Sequence, residues 1–129
     1  MGGRSMNRHT AQTIVEAVDA LLAWDAAADI DAAAHAAAAP ALDKATAAAP
    51  AHVRAILHRS RGTMAAARRR LVEAGIVEAA IATDPTLTSK EAKSMLARCA
   101  IQRRHAAAAW TDAAGRACLQ AERAIDALV

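Results

Sequence analysis

From Val53 to Ile81 this chain repeats an alternation of four and three residues: Val53, Leu57, Ser60, Met64, Ala67, Leu71, Ala74 and Ile81, interrupted only by Glu78. That spacing lines up on one side of a helix and on no face of a strand, so it demands a long helix from Ala51 to about Thr83 with a coiled-coil-like seam. Gly62 and Gly75 fall inside it, each costing about 1 kcal/mol against alanine, and a kink is expected at Gly62.

What such a seam can pack against is limited by composition. Of 129 residues, 41 are alanine; Phe and Tyr are missing, and Trp24 and Trp110 are the only aromatics. Alanine favours helix and disfavours strand, and the β-branched residues do not alternate, so the fold class is all-α with a thin, close-packed core.

Around this helix the remaining elements follow in order. Ile14, Val18, Leu21 and Leu22, with Trp24 near the end, predict an amphipathic helix from about Thr10 to Asp25. Residues 26–51 form an Ala/Pro-rich connecting segment with little to bury, either a helix broken near Pro40 and Pro50 or a semi-ordered linker. Pro50 suits the first turn of the helix that follows. Asp84-Pro85-Thr86 signals a turn, and Thr88 with Glu91 reads as a capping box.

The helix that starts there continues for about 40 residues, with Met95, Leu96, Cys99, Ala106, Trp110, Ala113, Ala117, Ala121, Ile125 and Leu128 assigned to its buried face. So short a connection makes the last two helices an antiparallel hairpin. With the N-terminal helix this gives a three- or four-helix bundle, or one completed by dimerisation; the length of the last helix favours a homodimer. Trp24 and Trp110 are both expected in the bundle core.

Residues 6–129 read as one domain, with residues 1–5 a cloning scar ahead of a start at Met6. The longest run without a formal charge, Ala32 to Leu42, is too short to span a bilayer, and the N-terminus does not resemble a signal peptide. A cytoplasmic location is expected. Cys99 and Cys118, on one helix and roughly 28 Å apart at 1.5 Å per residue, cannot pair with each other and read as buried thiols.

Charge gives the one hint of a partner. Between Ala51 and Val72 stand Arg54, Arg59, Arg61, Arg68, Arg69 and Arg70 with His52 and His58, and no acidic residue. Arg54, Arg61 and Arg68 share one heptad position beside the apolar stripe, and His58 extends it. A hairpin folded about Pro85 sets residues near 70 beside residues near 100, joining these arginines to Arg98, Arg103, Arg104 and His105 in one patch. The chain up to Pro50 carries three basic and six acidic residues, the rest thirteen and seven.

Three readings of this patch compete. Guanidinium groups could dock an acidic protein surface, including the acidic N-terminal region of another copy. They could bind phosphates and release counterions. They could also be a solvated face set by composition. Nucleic-acid recognition lacks a helix-turn-helix, a zinc-finger spacing and aromatics for stacking.

Nor is catalysis indicated. Arg68, Glu73, Arg98 and Gln102 could converge, yet there is no phosphate loop and no nucleophile motif, and no histidine spacing suits a metal. No cofactor is implied. The expectation is a non-enzymatic helical module that binds an acidic protein partner or another copy of itself through Arg54, His58, Arg61, Arg68, Arg69, Arg70, Arg98, Arg103 and Arg104. The alternative is nonspecific or shape-directed nucleic-acid binding by the same residues.

Overall fold

Four helices account for most of residues 6–128, which the computed structural model describes: α1 Arg8–Ala27, α2 Ala32–Ala48, α3 Ala51–Thr83 and α4 Ser89–Asp126. The protein is all-α, and its helix contacts are those of a bundle, with α1 against α2 and α3 against α4 as a hairpin. The reading of residues 1–5 as a cloning scar lies outside the described residues. None of these helices is long and apolar enough to cross a membrane.

The helix boundaries follow from local hydrogen bonding. Asn7 begins α1 by accepting the Thr10 N–H at 2.7 Å, and Asp31 begins α2 by accepting that of Ala34 at 2.7 Å. Both satisfy donors that a helix N-terminus leaves without partners. The alanine-rich stretch is therefore an ordered helix, and it continues through Pro40. Pro40 removes the donor that the Ala36 carbonyl would use, but both residues lie on the exposed side, where water can take its place. Pro50 stands just before α3, where its carbonyl accepts from Val53 and Arg54 at 3.0 and 2.9 Å.

The chain divides into two compact units, residues 6–62 with 113–128 and Thr63–Asp112. In the first, Ile14 and Leu21 of α1, Leu42 of α2, and Val53 and Leu57 of α3 are the largest fully buried side chains. Each contributes roughly 1.5 to 3 kcal/mol by leaving water. From α4, the buried residues are Ala113, Ala114, Ala117, Gln120 and Ala124. The expected Ala121, Ile125 and Leu128 face is corrected: Ile125 is 56% exposed. Burying Ile125 would need a stutter in the repeat, whereas Ala113, Ala117, Gln120 and Ala124 keep its phase.

In the second unit the α3 seam buries Met64, Ala67, Ala74 and Ile81 against Cys99 and Ala106 of α4. Register comes from two contacts: Glu78 meets Arg103, and Leu71 lines one groove with Trp110. Ile81, the last buried residue of α3, is then level with Cys99, the first of α4. Extending the same register sets the end of α3 level with Arg98, so the first turns of α4 run on past it. Met95 and Leu96, expected in the seam, consequently have no helix opposite and are 38% and 42% exposed.

The segment 84–88 crosses this offset. Its turn is closed by the Asp84 carboxylate, which accepts from the Thr86 hydroxyl at 2.6 Å and the Thr86 N–H at 2.9 Å; those bonds hold the carboxyl below its ordinary pKa. The Thr88 hydroxyl then accepts from the Glu91 N–H at 3.2 Å and opens α4.

Helix α3 continues through Gly62, where a kink was expected, and a β-carbon added there or at Gly115 would meet nothing within 4 Å. Both positions are exposed and helical, so Gly62→Ala and Gly115→Ala should each raise unfolding stability by about 0.5 to 1 kcal/mol. Urea denaturation followed by circular dichroism checks this.

Candidate functional site

The nine residues expected to bind a partner divide by what their side chains already do. In the first unit, Arg54 donates through Nη1 to the Ala49 and Ala47 carbonyls at 3.0 and 3.4 Å, closing the C-terminal end of α2. Arg61 donates to Asp43 Oδ1 at 2.6 Å, and its guanidinium lies 4.8 Å from the centre of the Trp24 ring. The same indole meets the His35 ring at 4.4 Å, and His35 Nδ1 donates to the Trp24 carbonyl at 2.9 Å. Trp24 thus joins three helices in the core, as a cation–π and stacking centre.

His58 is exposed, on the rim of a cleft of about 330 Å³ lined with Arg54 by Asp43, Thr46 and Ala47. The cleft mixes signs, since Asp43 and the carbonyl end of α2 oppose the cations. A binding site for anions does not follow.

In the second unit Arg103 is at a seam position, facing Glu78. Its Nε and Nη2 donate to the two carboxylate oxygens at 2.6 and 2.8 Å, a bidentate pair partly open to solvent. The hydrogen bond, reinforced by the charge, lowers the Glu78 pKa and raises that of Arg103. The interruption at Glu78 is therefore the partner of Arg103, and Arg103 was wrongly expected to be a surface cation.

The hairpin register also corrects the single merged patch. Arg70 is level with residue 111 and not with residue 100, so the Arg68–Arg70 run and the Arg103–Arg104 run lie roughly 11 Å apart along the axis, at 1.5 Å per residue. The connection 84–88 does not fold symmetrically about Pro85, which is the assumption the merged patch rested on. Arg69, Arg70, Arg98 and Arg104 are exposed, and no hydrogen bond or ion pair engages them among the described residues.

The two runs instead bracket a groove. Arg68, Leu71, Ala107, Trp110 and Thr111 enclose about 240 Å³ between α3 and α4. Val72 is one turn beyond Arg68 and 63% exposed, while Arg104 is one turn before Ala107 on the side that Ala107 and Thr111 share. Further along, the Arg103 Nη2 lies 3.6 Å from where a Gly75 β-carbon would be. Leu71, Ala107 and Trp110 make the lining apolar, Arg68 is part of it, and Arg104 stands a turn away.

Trp110 was assigned to the core, and its role in this wall was missed. An indole cannot be enclosed between helices whose small seam residues hold the axes close, so part of it stays at the surface. Its position directly after four alanines, Ala106 to Ala109, is the signal in the sequence, because nothing nearby is large enough to cover it.

The second unit carries eight Lys and Arg against five Asp and Glu, a surplus of three that equals the net charge of the whole chain. No known protein family, characterised protein or solved structure matches this chain.

Because its folded pKa is lowered, Glu78 adds stability that is present above the ordinary carboxylate pKa of 4.5 and is lost as pH falls through the folded value. Glu78→Gln should therefore be less stable than the native chain at pH 7, and the two should converge at acid pH. Urea midpoints measured across that range provide the check.

Proposed function

We propose that this protein is a non-enzymatic helical interaction module, and that its α3–α4 hairpin docks an acidic, apolar-tipped segment of a protein partner in the groove beside Trp110, with the exposed Arg104 as the cation that receives its carboxylate. The observation that carries this reading is the order of chemistry along the groove. Leu71, Ala107 and Trp110 offer an apolar lining, Val72 is exposed one turn beyond Arg68, and the exposed Arg104 stands one turn before Ala107.

Aromatic and arginine side chains around a small pocket are the groups that dominate protein interfaces when truncated. Arginine also suits carboxylates, which it can hold bidentately. The same order favours a protein over nucleic acid. A phosphate backbone gains nothing from Val72 or from the exposed Ile76 and Ile101, and Trp110 is a lone aromatic on this hairpin, without a series on which bases could stack.

Pairing of two identical grooves face to face is disfavoured for a simple reason. The side that bears Arg68, Val72, Arg104, Ala107 and Thr111 has no acidic residue at the intervening helical positions, so like charges would meet. The occupant must bring the carboxylates.

Fluorescence can test this directly. In a Trp24→Phe variant Trp110 is the single indole, and a helical peptide with isoleucine flanked by glutamates should shift its emission saturably. Arg104→Glu should weaken that binding roughly tenfold. No response to the peptide, or tight binding of duplex DNA with a steep salt dependence, overturns the reading.

A further inference from the structure

After Ile30, the two most exposed large apolar side chains among the described residues are Ile76 and Val72, at 64% and 63%. They stand one turn apart on α3; Glu73 lies in the turn between them, and Arg69 is one turn before Val72. Single aliphatic side chains on a protein surface are ordinary and need no explanation. Two on one face, beside free charges of both signs, form a pattern.

At about 100° per residue this face is opposite the seam of Met64, Ala67 and Ala74, on the side of α3 turned away from α4. Arg69 marks its centre, with Ala65, Val72 and Ile76 to one side and Glu73 to the other. Arg69 and Glu73 are both exposed, and among the described residues no hydrogen bond or ion pair engages either.

We infer that this face of α3 is an interface between two copies of the chain, paired antiparallel about a two-fold axis midway between Arg69 and Glu73, so that each Arg69 meets the partner's Glu73. Charge complementarity carries the inference, because the face complements itself in this direction alone. A parallel pair in register would set Arg69 against Arg69 and Glu73 against Glu73. The antiparallel pair makes the same ion pair twice, as one surface used by both copies requires.

Shape agrees with charge. In this alignment the two Val72 side chains fall two residues apart, about 3 Å along the axes, on the flank away from the ion pairs. Ile76 falls beside the partner's Ala65 and Ala66, which are small enough to leave it room and to let the axes approach.

The outer face of α4 is not built this way. The exposed Ile101 has Arg98, Arg104 and His105 within one turn and no acid, so two copies of that face would repel. None of the side chains paired on α3 lines the groove beside Trp110, and the self-association goes beyond the docking reading without depending on it. One helix face from each copy is at the small end of specific interfaces, so the dimer is reversible and forms as concentration rises.

Charge reversal tests the pairing. Arg69→Glu and Glu73→Arg each set like charges at both ion-pair positions. Sedimentation equilibrium should show either variant dimerising at least about tenfold more weakly than the native chain. An equimolar mixture of the two restores both pairs and should form a one-to-one heterodimer. Ile76→Ser, which keeps both charges and removes the apolar contact, should weaken the dimer by a similar factor. Circular dichroism should show all three variants as folded as the native chain, since the substituted side chains are exposed.

A native chain that stays monomeric up to about 1 mM overturns the inference. So does either charge reversal, or Ile76→Ser, that dimerises as tightly as the native chain, and so does a mixture in which the two reversed chains stay apart.

Discussion

Glu78 and Arg103 stand at seam positions of two helices that are otherwise faced with alanine and a few larger side chains, and much else in the hairpin depends on their pairing. A seam of small residues is nearly self-similar under a shift of one heptad. Packing at the alanine positions discriminates weakly between registers, because a slip of one heptad replaces Ala67 by Ala74 there. A charged pair does discriminate. In any other register the bidentate contact is unmade and both groups are left to water, so the native register is the one that the pair favours. The pair therefore specifies the alignment more than it adds stability, as polar residues at core positions of coiled coils do.

That alignment has consequences at a distance. It carries the start of α4 past the end of α3, which exposes Met95 and Leu96, and it separates the Arg68–Arg70 run from the Arg103–Arg104 run along the hairpin. Had the helices met symmetrically about Pro85, the arginine runs would have merged and no apolar gap would have separated them. The groove follows from the offset, and the Glu78–Arg103 pair is one of the two contacts that mark the offset.

The sequence was most legible where a single helix face decides the outcome. Every expected seam residue of α3 from Val53 to Ile81 is buried except Leu71, which is half-buried at the groove. The helix boundaries at Ala51 and Thr83 were readable for the same reason, and α4 begins one residue after Thr88. What depends on two elements at once was hidden. Glu78 looked like a defect because its partner is 25 residues away, and Arg103 looked like a surface cation because its partner did. Ile125 was placed inside on hydrophobicity, yet the phase of the repeat, which its neighbours share, puts it outside. The alanine-rich stretch could not be decided in either direction, since its order depends on Leu42 and Thr46 finding cover in a core that local pattern does not describe.

Arginine count alone is a poor guide to binding in such a chain. Arg54 closes a helix end, Arg61 lies on an indole and an aspartate, and Arg103 holds a register, so three of the nine candidates have work inside the molecule. The guanidinium suits all three because it combines several donors with a flat face. Among the nine candidates, the open arginines Arg69, Arg70, Arg98 and Arg104 belong to the second unit, which carries a surplus of three positive charges. Electrostatic attraction from that unit is long-ranged and unselective, and it would act on any anionic surface. In the docking proposed for the groove, selectivity would come from the part that charge does not explain, Trp110 and the low alanine wall beside it.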